Sequence, residues 1–127
     1  MKNERQLGLL WGGVALLLLA LSPLAGRIAA TLPNCPLRAV IHVPCPTCGT
    51  SRSAVALSHL DLAGAFSVNP LATLGWIGLV GGGLVVGVLA ILGKPVREPD
   101  WRLSRPARWL LVVTLLANWV YLVGVGV

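Results

Sequence analysis

Three long stretches without a charged side chain constrain this chain more than any other feature. They run from Leu7 to Gly26, from Leu71 to Gly93 and from Trp109 to Val127, and contain 20, 23 and 19 residues. At a rise of about 1.5 Å per residue, each is long enough as a helix to cross a hydrocarbon layer of roughly 30 Å. Lipid offers no partner to backbone N–H and C=O groups, so a lone run of this length satisfies them only as an α-helix. The expected fold is an all-α membrane protein in one domain, residues 1–127. Its transmembrane helices lie at about 7–26, 71–93 and 109–127, with a short helical re-entrant or interfacial segment between the first and second. Only 11% of residues are charged, less than half of the roughly 25% in soluble domains. That excludes a cytosolic enzyme, a disordered chain and a small secreted disulfide scaffold.

The first run follows Lys2 and Arg5, the order of a signal peptide. It is longer than a usual signal core and lacks a small-x-small exit, so it is expected to remain as a helix. Leu32-Pro33-Asn34-Cys35 does not suit a lipoprotein cleavage box, because Pro and Asn occupy positions that want small residues.

Basic residues set the sidedness. Lys2 and Arg5 at the N-terminal tip, with Lys94, Arg97, Arg102, Arg105 and Arg108 in the connection 94–108, make seven of the ten cations. Three spans bring these two segments to one side, which the positive-inside rule makes the cytoplasm. The 44-residue segment from Arg27 to Pro70 holds only Arg27, Arg38 and Arg52, and is expected outside with the C-terminus. Trp11, Trp76 and Trp109 fall near helix ends, as interfacial anchors do. The net charge of +6 is then an orientation signal and a contact for anionic lipid headgroups. The same explanation covers the basic loop with its Trp101, and no nucleic-acid partner is expected.

Chemical content is concentrated in the segment 27–70. Pro33, Pro36, Pro44 and Pro46 break up Thr31 to Pro46, which reads as irregular backbone. From Thr50 to about Leu60 the pattern turns helical, and Asp61 looks like the N-cap of a second short helix, Leu62 to Phe66. Asn69-Pro70 then opens the second span, with Asn69 near its cap. All three cysteines lie here, and the core is Pro44-Cys45-Pro46-Thr47-Cys48-Gly49. Two cysteines separated by two residues can aim both sulfurs at one point, and a following Gly permits the tight turn this requires.

Three chemistries fit that pattern. In the first, Cys45 and Cys48 chelate a metal such as zinc, with Cys35 third and His42 a weaker fourth candidate. In the second, Cys45 and Cys48 form a redox-active dithiol tuned by Arg52, with Cys35 as resolving or structural partner. In the third, a structural disulfide ties Cys35 to Cys45 or Cys48, which suits an oxidising compartment.

The run Cys35-Pro36-Leu37, Pro44-Cys45-Pro46-Thr47-Cys48-Gly49-Thr50-Ser51-Arg52, Asp61-Leu62, Ala65 and Asn69-Pro70-Leu71 resembles the bacterial domain-of-unknown-function family 2752. The resemblance covers roughly residues 33 to 80. It implies a small protein of the bacterial cytoplasmic (inner) membrane with a shared site around Cys45, Cys48 and Arg52, and no established activity. The chain departs from the family pattern at two points. His42 stands near a position where the family tends to have Gly, and His59-Leu60-Asp61 replaces a Gly-Asp step.

Other residues have simpler expected roles. His59 is read as an interfacial polar group, and Asp61 as a cap or a partner for Arg52 or Arg38. Gly78 and Gly82, like Gly83 and Gly87, have the four-residue spacing of close helix approach. They serve either packing inside the bundle or contact with a second copy or a membrane partner subunit. Asn118, deep in the third span, calls for a cross-helix hydrogen bond. No phosphate loop, paired carboxylates, Ser-His-Asp set or H-E-x-x-H motif occurs. The leading reading is a non-enzymatic membrane scaffold or accessory subunit with a structural Cys turn, and the second is a thiol-disulfide or zinc-binding protein.

Overall fold

The computed structural model describes residues 2–32, 35–45, 48–95 and 102–126. Pro33, Asn34, Pro46, Thr47, Arg97, Trp101 and Val127, named above, lie outside the described residues. Regular structure among the described residues is helical throughout. The elements are α1 (Lys2–Leu21), a turn of 3₁₀ helix (Ser22–Leu24), α2 (Ala25–Thr31), α3 (Pro36–Ile41), α4 (Thr50–Ser58), α5 (Leu62–Val68), α6 (Pro70–Ile91) and α7 (Arg105–Val125). Three helical runs are long and apolar enough to cross a membrane: the one that opens with α1, then α6 and α7. Their large apolar side chains point outward, Leu10, Val85, Leu110 and Val120 among them. Water would penalise such a surface, whereas acyl chains accept it.

Helix ends differ from the sequence expectation for local reasons. The first helix begins at Lys2 because Lys, Asn, Glu and Arg all tolerate helix, and Glu4 in the first turn complements the dipole. It stops at Leu21 because Pro23 lacks an N–H and crowds the preceding turn, so the backbone tightens to 3₁₀ and then resumes as α2. The stretch Thr31 to Pro46, expected to be irregular, contains the short helix α3. Pro36 occupies its first turn, where the missing N–H would be unbonded anyway. Asp61 caps α5 as expected, its Oδ1 accepting from Gly64 N at 2.9 Å.

The chain divides into two compact units. One comprises residues 1–23 and 75–100, in which α1 packs on the later part of α6. Gly8, Gly12 and Ala15 meet Gly83, Gly87 and Ala90. A Cβ on Gly12 would come within 2.8 Å of Gly87 Cα, and one on Gly83 within 2.9 Å of Ala15 Cβ. These helices therefore approach at backbone distance, gaining the dispersion contacts that hold helices together in lipid. The Gly83–Gly87 pair is filled by the chain itself, whereas Gly78 and Gly82 have nothing within 4 Å.

The other unit comprises residues 24–74 and 101–127. In it α2 packs on α4 and α4 on α5. The C-terminal half of α7 is bonded to this helical cap at several points. Tyr121 Oη donates to Ser67 O at 2.8 Å, and Arg38 donates to Gly126 O at 3.4 Å. Asn118 Oδ1 accepts from Leu71 N at 3.3 Å, supplying the cross-helix bond that its depth calls for. The cap and the C-terminal end of α7 thus share one end of this unit.

The α4–α5 corner is a Schellman turn: Asp61 N donates to Ala56 O and Leu60 N to Leu57 O, both at 2.9 Å. This forces Leu60 to φ 59°, a region where a Cβ costs about 1–2 kcal/mol. Leu60 is also 88% exposed, so little packing compensates. Leu60→Gly is expected to stabilise the protein by about 0.5–1 kcal/mol after allowing for the freer unfolded chain. Thermal unfolding in detergent measures this, and a lowered midpoint would contradict it.

Candidate metal centre

Each cysteine sits at the entrance to a short helix. Cys35 immediately precedes α3, and its carbonyl accepts from Ala39 N at 3.1 Å. Cys45 and Cys48 bracket a tight turn closed by Cys48 N donating to Cys45 O at 2.9 Å. Gly49 follows with φ 83°, which a glycine adopts without strain, and leads directly into α4. The turn folds the two sulfurs together while the start of α3 supplies the third.

The result is a cluster. Cys35 Sγ lies 3.3 Å from Cys45 Sγ, which lies 3.1 Å from Cys48 Sγ. All three sulfurs fall within 4.8 Å of one another. Cys45 N also donates to Cys48 Sγ at 3.1 Å, the kind of bond that favours a thiolate. None of the three is in a disulfide. Cys48 is buried, whereas Cys35 and Cys45 are half-buried, so the cluster has an inner and an outer side.

The loop is held by Asn69, at the junction of α5 and α6, and by Trp119 of α7. Asn69, 1% exposed, donates from Nδ2 to Cys48 O at 3.0 Å. Its Oδ1 accepts from Ala72 N at 3.0 Å and so caps α6. Thr73, fully buried, donates to the carbonyls of Ala65 and Asn69 at 2.8 Å each. Trp119 Nε1 donates to Pro44 O at 2.9 Å, fixing the residue before Cys45. Trp119 lies six residues before the end of α7, about 9 Å along the axis, so the loop dips below the tip of that helix.

Burial, followed by the hydrogen bond with the Cys45 side chain, pushes the Cys48 thiol up to about 11. A redox-active cysteine needs the opposite, a thiol pulled down toward neutrality. A divalent cation bound at the sulfurs would reverse that shift at Cys48.

The remaining candidates stand apart from the sulfurs. His42 is exposed at the C-cap of α3 with φ 61°, and it is not in the sulfur cluster. Arg52 is exposed on α4, one helical turn from Cys48. His59 is exposed at the C-cap of α4. Sequence reasoning missed Trp119, Thr73 and the double role of Asn69. The dipeptide Asn69-Pro70 signalled a cap, but nothing local could indicate that its amide also holds the cysteine turn.

Comparison with protein families gives a match to the model described as Protein of unknown function (DUF2752), over residues 35–82. That stretch runs from the first cysteine of the cluster into the middle of α6 and agrees with the region read from the motif. No curated protein and no solved structure matches the chain.

Proposed function

We propose, with the family match over residues 35–82 as premise, that this chain is a non-enzymatic multi-pass membrane module. Its Cys35, Cys45 and Cys48 thiolates hold a thiophilic divalent cation such as zinc. The observation that carries this reading is the convergence of all three sulfurs within 4.8 Å. Tetrahedral zinc with bonds of about 2.3 Å places its sulfur ligands about 3.8 Å apart. The separations of 3.1 and 3.3 Å reach that value by small side-chain rotations. A disulfide would use two sulfurs and leave the third without a purpose. The bound ion cross-links the start of α3 to the start of α4, stiffening a cap too small to own a hydrophobic core. The distribution of Lys and Arg supports an outward-facing cap on a bacterial inner membrane.

Full-length protein purified in detergent without chelator is expected to contain one equivalent of zinc, lost together in the triple Cys→Ser variant. Binding must displace thiol protons, so affinity is expected to rise with pH, by up to about a thousandfold per unit where all three titrate. Impermeant maleimide is expected to label chelator-treated cells from outside. Metal-free protein with a fixed disulfide, or with two interconverting thiol states trapped by alkylation, would replace this reading with disulfide chemistry.

A further inference from the structure

We infer that the metal site is coordinatively open: the chain supplies three sulfurs, and the fourth position belongs to an exchangeable small ligand from solvent. This deepens the zinc reading and rests on it. Among the described residues, the group of candidate ligand side chains around the sulfurs comprises Cys35, Cys45 and Cys48 alone. His42, His59 and Asp61 are the other histidine and acidic side chains of the segment 27–70, and none joins it. His42 caps α3, His59 caps α4, and the Asp61 carboxylate accepts from Gly64 N.

The cluster is also asymmetric in a way that locates the fourth corner. Cys48 is buried and its carbonyl is held by Asn69, so protein closes the inner side. Cys35 and Cys45 are only half-buried, so the more accessible side of the cluster is theirs. Three thiolates form one triangular face of a tetrahedron, and the fourth corner then projects on the exposed side. Closed structural zinc sites use four protein ligands, whereas three protein ligands with an accessible fourth position are the arrangement that exchanges water for other donors. Three thiolates and a divalent cation carry a net charge of −1, so water or a neutral donor fills the position without further charge build-up. Sulfur-rich ligation favours a soft or borderline ion, which keeps a neutral nitrogen donor such as imidazole an effective competitor for that corner.

Cobalt(II) substitution tests this on the full chain in detergent, because its visible spectrum reports the donor set. One equivalent of cobalt is expected to give sulfur-to-metal charge transfer and tetrahedral d–d bands. Titration with imidazole, a neutral donor, is expected to shift the d–d bands saturably and reversibly, with cobalt retained. A cobalt-loaded protein whose bands ignore imidazole would overturn the inference while leaving the metal site standing. A spectrum altered by His42→Ala before any imidazole is added would make that ring the fourth donor and overturn it too. Failure to take up cobalt would overturn both this inference and the zinc reading beneath it.

Discussion

Replacing Cys45 by Ser is expected to abolish zinc retention, with a larger effect than the same change at Cys35. Cys45 is the shared vertex of the cluster, 3.3 Å from one sulfur and 3.1 Å from the other. Ser preserves the shape but not the chemistry, because a hydroxyl does not ionise near neutral pH and is a poor partner for a borderline-soft ion. Structural zinc is worth about 10–16 kcal/mol in small domains, so one ligand of four accounts for roughly 2.5–4 kcal/mol. That is about two to three orders of magnitude in affinity. If the ion ties the starts of α3 and α4 as proposed, the variant should also accumulate less in membranes. Metal analysis and quantitative immunodetection of the membrane fraction measure both effects. Normal abundance with lost thiol cycling would instead point to a redox pair.

Asn69→Ala is expected to destabilise the protein by about 2–4 kcal/mol. Two losses combine. The cap on Ala72 N is worth about 1 kcal/mol, and the Cys48 carbonyl loses its buried partner at about 1–3 kcal/mol. Asn69→Asp separates them, since a carboxylate still caps α6 but cannot donate to the Cys48 carbonyl. Asp is therefore expected to remain defective, with the added burden of a charge at a site 1% exposed. Thermal unfolding in detergent and the rate of zinc loss to a chelator read the two variants. An Asp variant as stable as the parent would show that the cap alone matters.

The spans were legible because a membrane leaves so few solutions: charge-free length and backbone satisfaction together demand helices. The cysteine turn was legible for a different reason, since C-x-x-C-G encodes its own geometry locally. What could not be read was long-range. Nothing near Trp119 announces that its indole reaches Pro44, and Asn118 predicted a cross-helix bond without naming Leu71. Helix α3 was hidden by a proline that, at a first turn, starts a helix as readily as it stops one. His42 and Leu60 are more instructive. They are the two non-glycine residues with positive φ among the described residues, at 61° and 59°. At Leu60 the turn between α4 and α5 sets that backbone, and the strain falls on the side chain's Cβ.

The bond from Trp119 to Pro44 joins positions 75 apart in the chain. At ribosomal speeds of about 5–20 residues per second, the tryptophan is made some 4–15 s after the proline it secures. Until α7 is in place, the three thiols wait on a half-finished scaffold. If they hold an ion as proposed, loading is expected to follow the docking of that helix, and a nascent chain stalled earlier would leave its sulfurs to whatever reaches them first.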